Sequence, residues 1–104
     1  MKATHDTDRD SIKDFQQIVN IGPSIADDFR LLGLKNPQRL TGNDPWKLYR
    51  KLTKLTGEAP DPCVLDVFMS AIDYMNGNPP QQWWKYTATR KEVYGEAVRK
   101  LRGR

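Results

Sequence analysis

The sequence predicts an all-helical, compact domain of five or six helices, on three observations. Apolar residues recur at three- and four-residue spacing over most of the chain. A capping side chain precedes proline at Asn36-Pro37, Asp44-Pro45 and Asp61-Pro62, the grammar of a helix start. No run alternates apolar and polar residues for long enough to form a strand. At 104 residues the chain has the length of one domain, enough to bury about two-thirds of its unfolded surface in a single core.

Residues 1–10 alternate charge and polarity and are expected to be a flexible N-terminal tail. Ser11 then caps a first helix whose apolar positions are Ile12, Phe15, Ile18 and Val19. Asn20-Ile21-Gly22-Pro23 breaks that helix, because Asn and Gly tolerate positive φ and Pro23 suits the first turn of a following helix, Ser24 to Leu32, stopped by Gly33. Asn36-Pro37 opens a short helix to Leu40, and Asp44-Pro45 opens a longer one to Leu55, ended by Gly57. Asp61-Pro62 opens a helix from Cys63 to Met75. Apolar side chains cover more than half its circumference, so it is the expected central core element, with Asp66, Ser70 and Asp73 together on a solvated side. After Pro79-Pro80, Thr89-x-x-Glu92 has the spacing of a capping box and predicts a last helix with Tyr94, Ala97, Val98 and Leu101 on one face. The domain proper is thus expected over 11–78, with 79–104 an aromatic segment and basic C-terminal helix packed on it or extending from it.

Ile18-Val19-Asn20-Ile21-Gly22-Pro23-Ser24-Ile25-Ala26, followed by Phe29, Leu31, Leu32 and Gly33-Leu34, resembles the helix-hairpin-helix motif of DNA-repair and related proteins. Adding Asp44-Pro45, Leu48-Tyr49, Thr56-Gly57, Asp61, Cys63-Val64-Leu65, Val67-Phe68, Ala71, Tyr74 and Trp83-Trp84, roughly residues 12 to 86 resemble the bacterial pathogenicity-locus family, sometimes labelled mitomycin-resistance proteins. That resemblance implies a helical, helix-hairpin-helix domain. A faint repeat at a shift of 37 residues pairs Phe15 with Leu52, Ile18 with Leu55, Pro23 with Pro60 and Ala26 with Cys63. It leaves open a degenerate double helix-hairpin-helix, SAM-domain-like.

A hairpin that opens a helix leaves backbone N–H groups unpaired at the positive end of the helix dipole, where a phosphate fits. Here the donors are the amides of Gly22 and Ser24 and the Ser24 hydroxyl, within the turn Asn20, Ile21, Gly22, Pro23, Ser24, with Lys13, Arg30 and Lys35 the cations nearby. Backbone amides ignore base identity, so the expected partner is duplex DNA, bound without sequence preference and sensitively to salt. Three features oppose this reading: Asn20 replaces the first usual glycine, Ser24 replaces the usual basic residue, and Asp27 and Asp28 are expected in the helix's first turn.

Formal net charge is +4, with the excess in the middle and at the C-terminus. Lys47, Arg50, Lys51 and Lys54 recur at i, i+3, i+4 and i+7, forming one stripe, with Leu48, Leu52 and Leu55 on another face. With Arg99, Lys100, Arg102 and Arg104 that stripe can track a phosphate backbone or be a solvated face. Trp83 and Trp84 can hold a partner protein or close the core, and the core is favoured for Trp46 and Tyr49 as well. The alternative function is therefore a protein-interaction or scaffold domain with a purely structural hairpin. A drug-binding resistance protein is a third reading, and it rests on the family's label alone.

No enzyme is expected. His5 is the one histidine and Cys63 the one cysteine, so neither a disulfide, nor a Cys/His metal cluster, nor a base-activated nucleophile can be assembled. Cys63 is expected to be inert packing. No cofactor is implied, because the chain lacks a glycine-rich nucleotide loop. It also lacks a long apolar run or a secretory signal, which makes a cytoplasmic location the expectation, with no membrane partner.

Overall fold

Local side-chain bonds, not an α-helix, shape the first third of the chain. The computed structural model describes residues 2–103. In it the expected helix from Ser11 is replaced by two 3-10 turns, Arg9–Ser11 and Phe15–Gln17. Asp14 accepts the amide of Gln16, while Gln17 Oε1 accepts the amides of Lys13 and Asp14, a capping box closed around one turn. Ile12 is extended between the turns and Ile18 directly after the second. The alternation lets Ile12, Phe15, Ile18 and Ile21, spaced by three, all point inward with at most 3% exposure. An α-helix would rotate that series off the core. Four buried side chains at about 1.5–3 kcal/mol each outweigh the few helical hydrogen bonds forgone, which are worth about 0.5–1.5 kcal/mol net apiece.

The left-handed residue of the following turn is Asn20, at φ 71°. Gly22 is extended and caps α1 (Pro23–Leu31). A short 3-10 turn, Pro37–Leu40, leads to α2 (Pro45–Thr56), and α3 (Pro62–Met75) follows. Asp44 and Asp61 cap these two helices through the amides of Trp46 and Cys63, whereas Asn36 makes no side-chain cap. Gly57 ends α2 at φ 81°, the equivalent of Asn20 under the 37-residue shift. The arms before the two turns differ, however, one a 3-10 turn and the other a 12-residue α-helix. The last elements are a 3-10 turn at Trp83–Tyr86 and α4 (Thr87–Arg102), which begins directly from that turn. Thr89 therefore lies inside α4, and the expected capping box does not form. The described residues are all-helical, with four α-helices and four 3-10 turns.

Residues 2–10 are also tied down, where a flexible tail was expected. The Ala3 amide donates to Gln17 O at 2.6 Å and the Tyr74 hydroxyl to Thr4 O at 2.6 Å. Arg9 donates to the carbonyls of His5, Thr7, Tyr74 and Asn78, and its guanidinium lies 3.9 Å over the Tyr74 ring. A cation on the last carbonyls of α3 also complements that helix's dipole.

α3 is the central element, as its sequence indicates: Leu65, Phe68 and Ala71 are fully buried. The side expected to be solvated is covered instead. Asp66 has no exposure and accepts from Arg90 Nε at 2.8 Å and from the Thr87 hydroxyl at 2.7 Å. The Ser70 hydroxyl donates to Gln81 O and accepts from Asn20 Nδ2, while Asp73 accepts from Asn78 Nδ2 and from the Tyr86 hydroxyl. A polar seam thus clamps residues 81–90 onto α3. The radius of gyration, 13.1 Å, is that of one compact body including this segment.

The seam makes stability sensitive to alkali. Burial, and then the neighbouring Asp73 carboxylate, push the Tyr86 hydroxyl above the ordinary tyrosine range. The folded protein keeps this proton where an unfolded tyrosine releases it, near about pH 10, so the bond's contribution is complete below that pH and is lost above it. Burial shifts Tyr49 and Tyr94 in the same direction. Thermal midpoints measured through that range should fall as pH rises, and Tyr86→Phe should fall less steeply.

Candidate nucleic-acid interface

The hairpin turn is partly structural and partly open. Asn20 Nδ2 donates to Ser70 Oγ at 3.0 Å and to Gln81 O at 2.9 Å, and Ile21 is fully buried, so both residues anchor the turn. Gly22 is half-buried, while Pro23 and Ser24 are exposed, and Gly22 carries no side chain to close the first amides of α1. Lys2 Nζ sits on Gln16 O at 2.6 Å and Ile21 O at 2.5 Å, a cation at the turn that the motif does not contain. Desolvation lowers its pKa. Lys13 is exposed. Arg30 is engaged by Asp27 at 2.8 Å, and Asp28, whose carboxyl burial and then Asp27 push upward, completes an acidic patch on α1 that lies past the first turn in which it was expected.

The stripe on α2 is different in kind. Lys47, Arg50, Lys51 and Lys54 are all exposed, and none forms an ion pair among the described residues, whereas Leu48 and Leu52 on another face are buried. Leu55, expected on that apolar side, is 51% exposed at the helix's last turn. Lys51 Nζ donates to Leu32 O, the carbonyl just past α1, at 3.1 Å. The stripe therefore meets α1 at its C-terminal end, about 13 Å along the helix axis from the hairpin. Lys35, just past that end, is exposed.

α4 crosses beside the stripe. Tyr94 stacks on Trp46 at 5.9 Å, Trp46 on Tyr49 at 5.8 Å, and Arg102 donates to Pro60 O at 2.6 Å. A cleft of about 510 Å³ opens between the helices, lined by Lys47, Arg50, Lys51, Thr53, Lys54 and Leu101. The basic regions of α2 and α4 are thus neighbours, and the hairpin stands apart from them. Trp83 packs on the core as expected, and Trp84, edge-on to it at 5.7 Å, is 57% exposed.

A family model described as "Pathogenicity locus" matches residues 8–92. The chain belongs to the pathogenicity-locus family. A relative, the mitomycin resistance protein McrB of Streptomyces lavendulae, is 39% identical over 80 residues, spanning 77% of this chain and 76% of the relative. No solved structure matches. The match covers more of this pathogenicity-locus chain than the resemblance read from its motifs, reaching past the Asp66–Arg90 pair. Sequence reasoning gave Leu101 a packing role only, without its place in the cleft, and missed Lys2 and the seam on α3. The signal for the seam was present in polar residues at i, i+4 and i+7 on an otherwise apolar helix.

The remaining reactive groups are separate. His5 is exposed, and Cys63 is half-buried, its thiol pushed upward by burial and then by Asp61. Among the described residues no three of His, Cys, Asp and Glu are placed to share a metal ion, and no helix is long and apolar enough to cross a membrane.

Proposed function

We propose that this protein is a small accessory nucleic-acid-binding module of the cytoplasm, a binder of duplex DNA without sequence preference and not an enzyme. The observation that carries the reading is the α2 stripe, four exposed cations with no carboxylate partner among the described residues. Ordinary solvated faces interleave both signs, and an uncompensated row of one sign favours a polyanion. On this reading the N-terminal turn is a helix-hairpin-helix element of a five- or six-helix fold whose first arm has contracted to a 3-10 turn. The Gly22 and Ser24 amides and the Ser24 hydroxyl then give a secondary phosphate contact, with Lys2 and Lys13 offsetting Asp27 and Asp28.

Exposure of Trp84 favours a second reading, a protein-interaction domain with a purely structural hairpin. Titration of labelled duplex DNA at two salt concentrations separates the two. Binding should weaken as salt rises, the Lys47→Glu/Lys54→Glu double variant should bind far more weakly, and Ser24→Glu should lose less. Absence of binding by the wild type at low salt overturns the nucleic-acid reading.

A further inference from the structure

We infer that the cleft between α2 and the last turn of α4 takes a single sugar-phosphate strand, so that unpaired nucleic acid binds there about as well as duplex. The inference rests on the nucleic-acid reading above and assigns it a site and a substrate form. Three features of the cleft carry it. Its volume, about 510 Å³, is that of a small-ligand site, room for part of one strand and too little for the body of a duplex.

Its charge is one-sided: Lys47, Arg50, Lys51 and Lys54 line it, and the other two lining residues, Thr53 and Leu101, are uncharged. From i to i+7 the stripe spans about 10.5 Å along the helix, so its four cations can follow the phosphates of one strand. Its floor suits a sugar, because Leu101 and the methylene stems of the lysines give apolar contact beneath the charged heads. Arg102, held on Pro60 O and Ala59 O, fixes the end of α4 and so the second wall, and is a positioning residue. An acidic protein segment would meet the same charges. The floor, however, offers one leucine where an amphipathic helix needs several anchors along its length.

The test measures fluorescence anisotropy of labelled oligothymidylate and of a labelled mixed-sequence duplex, each across a salt series. Wild-type protein should bind oligothymidylate within about tenfold of the duplex. From about 50 to 200 mM salt its affinity should drop about fiftyfold, the slope for four phosphates on a single strand. Thr53→Glu, which puts a carboxylate into the cleft, should weaken single-strand binding about tenfold and reduce the slope by about one. Lys54→Glu, at an exposed position, should do the same where Thr53→Glu compromises folding. Gln82→Glu, at an exposed position outside the cleft, should leave single-strand binding unchanged.

Duplex binding without oligothymidylate binding overturns this inference and leaves the broader reading standing, as does single-strand binding indifferent to both cleft variants. Failure of both probes at low salt removes the broader reading as well. Retention of polyglutamate with neither nucleic acid bound also overturns the proposal and assigns the cleft to acidic protein segments.

Discussion

Arg90→Ala is expected to cost about 3–5 kcal/mol of stability, as when one partner of a buried ion pair is removed. Asp66 is wholly buried, and Arg90 Nε, 2.8 Å away, is its one ionic partner among the described residues. Without the guanidinium the carboxylate keeps only the Thr87 hydroxyl. The other two ion pairs lie in solvent: Arg30–Asp27 has side chains 52% and 77% exposed, and Lys100–Glu96 73% and 70%. Their removal should change stability by no more than about 1 kcal/mol. Urea unfolding of Arg90→Ala beside Lys100→Ala makes the comparison directly, and a loss below about 1 kcal/mol for Arg90→Ala would mean that water reaches Asp66. The double variant Asp66→Leu/Arg90→Met should recover most of the loss, because an apolar pair of similar volume needs no compensation.

That seam also shows what a linear pattern conveys and what it hides. α2 and α3 are legible because start signal, apolar face and, for α2, the glycine stop all lie within one element, at Asp44-Pro45, Asp61-Pro62 and Gly57. The basic stripe is legible for the same reason, being one face of one helix. Asp66, by contrast, looks solvated in sequence because its partner lies 24 residues away, and the N-terminal segment looks loose because Arg9 finds its acceptors 65 and 69 residues on.

The first expected helix fails for a subtler reason. A spacing of three is shared by α-helical faces and by 3-10 turns joined through extended residues, and Asp14 and Gln17 decide between them by bonding locally. The hairpin's chemistry was readable from Gly22-Pro23-Ser24. Its separation from the stripe was not, since it depends on which end of α1 Lys51 touches.

Phe29→Ala is the second large effect, again about 3–5 kcal/mol. Phe29 has no exposure and bridges two elements, its ring 5.1 Å from Phe15 and 5.2 Å from Phe68. Each tilted aromatic pair adds about 0.5–1.5 kcal/mol beyond the area it buries, so truncation removes two such contacts and leaves a cavity between the N-terminal turns and α3. The damage should be uneven. Residues 12–21 hold few regular backbone bonds of their own and depend on this packing, whereas α3 keeps its contacts with α2 and the seam. Hydrogen exchange should therefore quicken first at the Ile18 and Ile21 amides, which bond only within their own turns, and later across α3. If the amides of α3 opened as early as those of the turns, the chain would be one cooperative unit and the bridge would have no local meaning. Leu55→Ala, at a half-exposed position, should stay within about 0.5 kcal/mol of the wild type, which separates loss of packing from loss of an apolar side chain as such.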